Sequence, residues 1–213
     1  CSFLFFVGMT FLLFTYRKDE LLFQKLSSQL FQREMTSNTL NMHYTLANPS
    51  NYGIYDYKVI LPCYSSDNHL LGQAEIENVL ATLQNINPTK LSHTDQYTRT
   101  LLLHSLDNSL SLSEYSYYSE PLSPSSGMQS QLPILLAEYT FRTKQDVVDY
   151  LKILDQTDEY FASLLTFEQE KADANLLMPS VSLRNVLEQC NTILTKEDLG
   201  QGTHFLQTTF KER

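Results

Sequence analysis

The chain has 213 residues, of which 42% are hydrophobic and 12% aromatic, so it can bury a sizeable core and is not expected to be disordered. Its net charge is -9, and no run of basic residues could neutralise phosphates, which excludes nucleic acid as an expected partner. Three widely spaced cysteines, Cys1, Cys63 and Cys190, form neither a disulfide framework nor the Cys-x-x-Cys pairs of a zinc site.

The N-terminal segment, residues 1–16, is a charge-free apolar run that Arg17 and Lys18 follow at once. This is the pattern of a membrane segment that ends at a charged boundary, although a helix of this length rises only about 24 Å against a hydrocarbon core of ~30 Å. We predict a signal peptide or membrane anchor over residues 1–16, and therefore contact with a membrane. The alternative is a buried helix in the core of a cytosolic helical protein, because a core helix can also be apolar all round.

The first amphipathic helix is predicted from Asp19 onward, because apolar residues recur there at helical spacing: Leu22, Leu26 and Leu30. Its continuation is ambiguous, since residues 40–46 alternate like a strand and also fit a helical face. We favour one helix that ends near Ala47. Residues 48–53 form a turn cluster with Pro and Gly, and residues 57–61 are predicted to be a short extended segment.

Two helices are predicted next. Residues 76–86 give a clean helical stripe, and Ser92 with Asp95 resembles a capping box that opens a helix through Leu110. The two helices are expected to form an antiparallel hairpin. The following residues, 111–131, are rich in Ser, Tyr, Pro and Gly and predict a loop whose tyrosines are packed against something else.

More helices follow this loop. Pro133 suits the first helical position, and Thr143 with Asp146 predicts the cap of a helix with an inward face composed of Val147, Tyr150, Leu151 and Leu154. A further helix is predicted to about Ala174.

The last predicted helices begin at Pro179 or Ser180 and at Thr195, the second with Asp198 in its first turn. Cys190 lies on the apolar stripe of the first of these, where a small buried residue is usual. Because helical periodicity dominates, the predicted fold class is mainly α, a multi-helix domain.

No complete catalytic or metal-binding motif is found. The chain has five histidines, but none belongs to a His-Glu-x-x-His pair, and no phosphate loop or nucleophile elbow occurs. His43 is the most interesting histidine, although a satisfied buried histidine is the favoured interpretation. The acid pairs Asp158–Glu159 and Glu168–Glu170 are interpreted as a solvated helix face. We therefore predict no catalytic residue and no metal ligand in this chain.

Several strings occur together in one order, and together they are more specific than any single motif. They are Asn38-Thr39-Leu40-Asn41-Met42-His43-Tyr44-Thr45-Leu46, Asn48-Pro49, Tyr52-Gly53-Ile54, Glu120-Pro121-Leu122-Ser123-Pro124, Gly127-Met128-Gln129, Gln131-Leu132-Pro133-Ile134-Leu135-Leu136-Ala137-Glu138-Tyr139, Asp149-Tyr150-Leu151, Glu159-Tyr160-Phe161 and Glu168-Gln169-Glu170-Lys171. With them the chain resembles the N-terminal part of the bacterial domain of unknown function 885, over about Leu22 to Arg213.

This resemblance implies a mainly helical zinc metallopeptidase of the gluzincin kind, whose motif His-Glu-Gly-Tyr-Pro-Gly-His lies downstream of the matched region. Residues 17–213 would then be the helical N-terminal part of a larger domain, truncated at the C-terminus, that forms one wall of the cleft. The full-length protein would use zinc and a peptide substrate, and this chain would need the remainder of its own polypeptide for activity. The expected location is the bacterial cell envelope, either membrane-anchored or secreted.

Two further expectations accompany this resemblance. The loop from Pro124 to Gln131 is the candidate substrate-binding segment, with Gly127, Gln129 and Gln131 near the substrate backbone, because glycine permits close approach and amides pair with peptide groups. A loop that only braces the helices is the alternative at this position. For the whole chain, the alternative function is a membrane-tethered, non-catalytic helical module for binding or scaffolding.

Overall fold

The computed structural model describes residues 17–64, 67–193 and 200–212, and the side chains of all of these except residues 67–71. In these ranges nine α-helices have defined bounds, and no strand is found. The helices are α1 (Lys18–Ser37), α2 (Thr39–Thr45), α3 (Asp67–Asn85), α4 (His93–Leu112), α5 (Met128–Glu138), α6 (Lys144–Leu154), α7 (Thr157–Asp173), α8 (Ser180–Ile193) and α9 (Phe205–Lys211). Short 3-10 segments occur at Pro49–Tyr52, Pro88–Lys90 and Ser113–Tyr118. The predicted mainly α, multi-helix class is confirmed.

Two of the sequence predictions lie outside the described residues. They are the signal peptide or anchor at residues 1–16 and the helix start at Thr195 and Asp198. Within the described ranges, none of the helices combines the length and apolar character needed to cross a membrane.

The chain divides into two compact units. As far as it is described, the first contains residues 17–34 and 67–114, and the second contains residues 35–64, 115–193 and 200–212.

The core of the first unit combines Phe23 of α1 with residues of α3 and α4 and of the loop between them. Its fully buried members are Phe23, Leu83, Ile86 and Leu91. Arg99 Nε donates to Leu83 O at 2.9 Å, while Gln73 Nε2 donates to Ser113 Oγ at 2.5 Å. The first bond joins the end of α3 to the start of α4, and the second joins the start of α3 to the residue just after α4. The two helices therefore run antiparallel, as predicted.

The helix predicted to end near Ala47 is two helices, so that prediction is wrong. Asn38 separates α1 from α2 with an extended backbone, φ -141° and ψ 104°, and its side chain accepts a hydrogen bond from Asn41 N at 3.1 Å. Thr39 N then donates to Ile60 O at 2.9 Å instead of continuing the helical ladder. The break follows because Asn is a strong N-cap residue and because the segment near Ile60 supplies a competing acceptor.

The core of the second unit is rich in tyrosine and leucine. Its buried members are Leu40, Val59, Leu61, Leu132, Leu136, Tyr139, Tyr150, Ile153, Tyr160 and Leu164. Helix α5 contacts α8 and α9, and α2 contacts α6. The Thr143–Asp146 capping box at the start of α6 is confirmed in both directions.

Other local predictions in this unit need correction. Pro133 lies inside α5 rather than at its first position, because the helix begins at Met128, whose N–H donates to Pro121 O at 2.9 Å. On α6, Leu151 faces outward, while Asp149, Tyr150 and Ile153 are buried. Cys190, predicted to be buried, is exposed on α8.

Candidate functional site

The loop predicted to bind substrate leads into α5, where Gly127 is the N-cap residue. Its φ of -74° is available to any residue, so backbone conformation does not require glycine. The lack of space does require glycine, because a Cβ at this position would lie 2.2 Å from Ser123 N and 2.6 Å from Ser123 O. The close approach that glycine permits here is between two parts of the loop itself.

Gln129 is bound inside the protein. It is buried, and its Nε2 donates at 2.7 Å to both Ser123 O and Gln189 Oε1. Gln189 Nε2 in turn donates to Pro124 O at 2.9 Å, which ties α8 to the loop. Gln131 is half-buried, and its N–H donates to Gly127 O at 3.0 Å. These contacts brace the loop, and contact of Gly127, Gln129 and Gln131 with substrate stays a prediction.

A half-open cavity of about 350 Å³, with both polar and apolar walls, lies in another part of the second unit. It is lined by α2, the turn after α2, the Tyr55–Tyr57 segment and the start of α6. The polar or charged side chains that line it include His43, Tyr57, Arg142, Thr143, Gln145, Asp146 and Asp149. We refer to it as the His43 cavity.

The two ring nitrogens of His43 differ in their hydrogen bonding to the described residues. Its side chain is 4% exposed, and its ring stacks on Tyr139 with centroids 3.6 Å apart. Nδ1 lies 3.4 Å from Asp146 Oδ1, which favours the tautomer with the proton on Nδ1. Nε2 is buried and has no hydrogen-bond partner within the described part of the chain. The expected burial is therefore found, but the expected satisfaction of this histidine is not.

The charge state of the imidazole follows from its surroundings. Burial, and next the positive charge of Arg142, lower the pKa of His43 from 6.5, and these effects outweigh the Asp146 carboxylate, which raises it. At neutral pH the ring is therefore uncharged, with a lone pair on Nε2. A buried acceptor without a partner is costly unless a ligand or water donates to it, so His43 is prepared to bind an N–H or O–H group.

Asp149 is the buried acid of this site, with 2% of its surface exposed. Tyr57 Oη donates to its Oδ2 at 2.5 Å, and Gln145 Nε2 donates to its Oδ1 at 2.8 Å. Burial, followed by this hydrogen bond, raises the pKa of Tyr57 above 10.0, so Tyr57 remains a donor at neutral pH. Each carboxylate oxygen of Asp149 thus accepts a hydrogen bond from a protein side chain.

A second buried polar cluster surrounds Lys171 on α7, whose side chain has no exposed surface. Its Nζ donates to Ser119 O at 2.8 Å and lies 3.1 Å from Glu120 Oε2 and 3.8 Å from Glu168 Oε2. Burial raises the pKa of Glu168, while Lys171 lowers it. The cluster fastens the loop before α5 to α7, which is a structural role.

The predicted solvated face of α7 is therefore only partly found. Asp158 and Glu159 are exposed, as expected. Glu168 instead faces Lys171 with a side chain 13% exposed, and Glu170 accepts a hydrogen bond from Tyr117 Oη at 3.2 Å. The prediction for this second pair is wrong because the segment from Tyr117 to Glu120 packs against it.

The zinc implied by the resemblance does not fit the described residues. No group of three or more His, Cys, Asp or Glu side chains in those ranges is arranged to hold a metal ion. At the His43 cavity the acids are already taken up by Tyr57, Gln145 and Thr143. We therefore derive no step through a metal from these side chains.

The described part of the chain is mainly helical, and its second unit contains the His43 cavity. The sequence profile of a family described as "Bacterial protein of unknown function (DUF885)" matches residues 48–213. The match covers more than half of the chain, so the chain belongs to this family, as the resemblance implied. The matched range begins later than the expected start at Leu22 and does not include His43. No curated protein matches the chain, and no solved structure does.

Sequence reasoning identified one member of the site and missed the others. His43 stood out by residue type, and Asp146 was noticed only as a helix cap. Asp149 carried a usable signal, because it falls three residues after Asp146 on the same side of a helix and within one of the quoted strings. Tyr57 and Arg142 offered no such local signal, since only the tertiary fold brings them to His43.

Proposed function

We propose that this chain is the substrate-binding helical part of a zinc-dependent peptidase and that the His43 cavity binds a segment of the peptide. The sequence resemblance supports the class of enzyme. The single observation that carries the proposal is the buried Nε2 of His43, a residue that lines the cavity, because this acceptor has no hydrogen-bond partner among the described residues. A peptide backbone offers donors and acceptors in alternation, which matches such a surface.

The residues of this chain would bind and orient the peptide. His43 Nε2 would accept a backbone N–H, and the stacked Tyr139 ring holds the imidazole plane in place. The apolar part of the cavity would receive a side chain, with Met42, Leu46 and Ile54 as its walls. The zinc ligands are expected elsewhere in the polypeptide, so the remainder of that polypeptide is the main proposed partner.

The proposed location is the bacterial cell envelope, with attachment or export through residues 1–16. The support is the charge-free apolar run that ends at Arg17 and Lys18. Extraction of bacterial membranes with alkaline carbonate tests attachment. A retained anchor leaves the protein in the membrane pellet, whereas release into the soluble fraction would contradict anchoring.

The enzyme proposal is tested on the polypeptide as its gene encodes it. Hydrolysis of a peptide mixture is measured before chelation, after chelation and after zinc is restored. We expect activity to disappear with the chelator and to return with zinc. Activity that is indifferent to chelation would contradict a zinc peptidase, and peptide binding without cleavage under any condition would favour the non-catalytic binding module.

The role of the cavity is tested with His43→Leu, which removes the hydrogen-bond acceptor and replaces the ring with an apolar side chain of similar volume. We expect a tenfold or larger rise in KM, because a hydrogen bond in a buried site contributes about 1.5 kcal/mol. His104→Leu is the matched control, since His104 is exposed on α4. Equal KM values for the two variants would reject the cavity as the peptide site.

A further inference from the structure

The acids of the His43 cavity are not available to a ligand. Asp149 is 2% exposed and accepts from Tyr57 and Gln145, as described above. Asp146 Oδ2 accepts from Thr143 N at 2.6 Å and from Thr143 Oγ1 at 3.0 Å. Its Oδ1 faces His43 Nδ1 at 3.4 Å. Each of these oxygens already faces a donor of the protein, so a ligand ammonium group would have to share a carboxylate with the fold.

The groups that line the cavity include one acceptor and one cationic donor. His43 Nε2 is the acceptor. Arg142 donates from Nη1 to His43 O at 3.2 Å, and this is its hydrogen bond to the described part of the chain. A guanidinium has five N–H groups, so further donors of Arg142 remain for a ligand on the wall of the same cavity. Their planar arrangement matches a carboxylate in a two-pronged pair.

We propose that the His43 cavity recognises the free C-terminal residue of a peptide, with Arg142 on its terminal carboxylate and His43 Nε2 accepting from its amide N–H. The C-terminal residue of a peptide carries an anion and an N–H donor on one residue. The hydrogen bond from Arg142 to the backbone carbonyl of His43 holds the guanidinium beside the residue that carries the acceptor. This inference rests on the proposed function, since it states which end of the peptide the cavity holds.

An apolar side chain is expected on that C-terminal residue. Met42, Leu46 and Ile54 form a buried cluster along one side of the cavity, with 1%, 5% and 5% of their surfaces exposed. A charged side chain placed against this cluster would lose its hydration without gaining a partner. The peptidase would accordingly act on the C-terminal end of peptides with an apolar last residue.

The experiment compares three peptides of one sequence that ends in leucine: the free acid, its N-acetylated form and its C-terminal amide. Each is titrated calorimetrically into the full chain at pH 7.5, and acetate is titrated as a bare carboxylate. We expect the free acid and its N-acetylated form to bind with equal Kd, the amide to bind at least tenfold more weakly, and acetate to show no binding at the same concentrations.

Two variants separate the roles of the two groups. In Arg142→Gln, the free acid should bind as weakly as the amide, while the side-chain amide can still donate to His43 O. In His43→Leu, the acid and the amide should weaken by the same factor, because both carry the N–H. Arg184→Gln is the matched control, since Arg184 is exposed on α8, and it should leave the discrimination unchanged.

The outcomes distinguish this inference from the function on which it rests. If the acid and the amide bind equally well to the unaltered chain, recognition of the C-terminus is wrong, although peptide binding stands. If acetate binds with the same Kd as the peptide acid, the N–H contact to His43 does not contribute to binding, and that part of the inference is wrong. If no peptide binds, the proposed function fails together with the inference. Thermal unfolding of each variant confirms that it folds.

Discussion

The buried ammonium group of Lys171 allows a quantitative test of the second unit. Replacement by Met keeps the length and the apolar stem but removes the hydrogen bond to Ser119 O and the charge that faces Glu120 and Glu168. A charge-assisted hydrogen bond contributes about 1.5–3 kcal/mol, and removal of one partner from a fully buried ion pair costs about 3–5 kcal/mol.

The expected loss for Lys171→Met lies at the overlap of these two ranges. The side chain of Glu120 is 41% exposed, so water screens its attraction to Lys171 and the higher range does not apply in full. We therefore expect the free energy of unfolding to fall by about 3 kcal/mol. For a chain of this size, the midpoint of thermal unfolding should fall by roughly 6–12 °C.

The assay is urea unfolding of the full chain followed by circular dichroism at pH 7, with Lys152→Met as the matched control. Lys152 is exposed on α6, and its replacement should change stability by less than about 0.5 kcal/mol. Adding Glu168→Gln to Lys171→Met should recover part of the loss, because the isolated buried carboxylate is then neutral. A loss for Lys171→Met no larger than that for Lys152→Met would refute the reasoning.

The remaining predictions concern the loop before α5 and the titration of buried rings. Gly127→Ala should lower stability by about 1–3 kcal/mol through overpacking, whereas Gly72→Ala, with open space around it, should raise it slightly; urea unfolding compares them. The pKa of His43 is lowered in the fold, so its contribution to stability is complete above pH 6.5 and is lost as pH falls through the folded pKa. His43→Leu should flatten the plot of unfolding free energy against pH in this range. An unchanged slope of that plot would contradict the prediction. Burial raises the pKa values of Tyr57 and Tyr139 in the fold, so stability should fall as pH rises above 10.0. The tyrosinate absorbance that Tyr57→Phe and Tyr139→Phe remove should appear together with unfolding rather than before it.

Helix boundaries set by short-range chemistry could be predicted from the sequence. Ser92 accepts from Asp95 N at 3.1 Å, and Thr143 forms the complete capping box with Asp146. These motifs are satisfied within four residues, so their geometry does not depend on the rest of the fold. The same locality explains why the mainly α class was predicted correctly.

Features that depend on distant partners could not be predicted. The break at Asn38 is stabilised by Ile60 O, which accepts from Thr39 N and lies about twenty residues further along the chain. The burial of Lys171 and Glu168 depends on the segment that ends at Ser119 and Glu120. In the sequence of α7 alone, these charged residues lie at helical spacing and indicate a solvated face. Sequence periodicity predicts which residues share a face of the helix, but not which segment packs against that face.

The His43 cavity shows how one residue can serve both the fold and the site. Asp146 caps α6 through Thr143 and also orients the His43 ring, so a variant at this position would alter stability and binding together. Arg142 and His43 Nε2 take no part in the α6 cap, so substitutions there change the free energy of binding without removing the capping box. The N-cap predicted from sequence thus positions the start of α6, and the start of α6 positions Arg142 against His43. Loss of ligand discrimination in Arg142→Gln with the α6 cap intact would therefore separate recognition from folding, which no substitution at Asp146 can do.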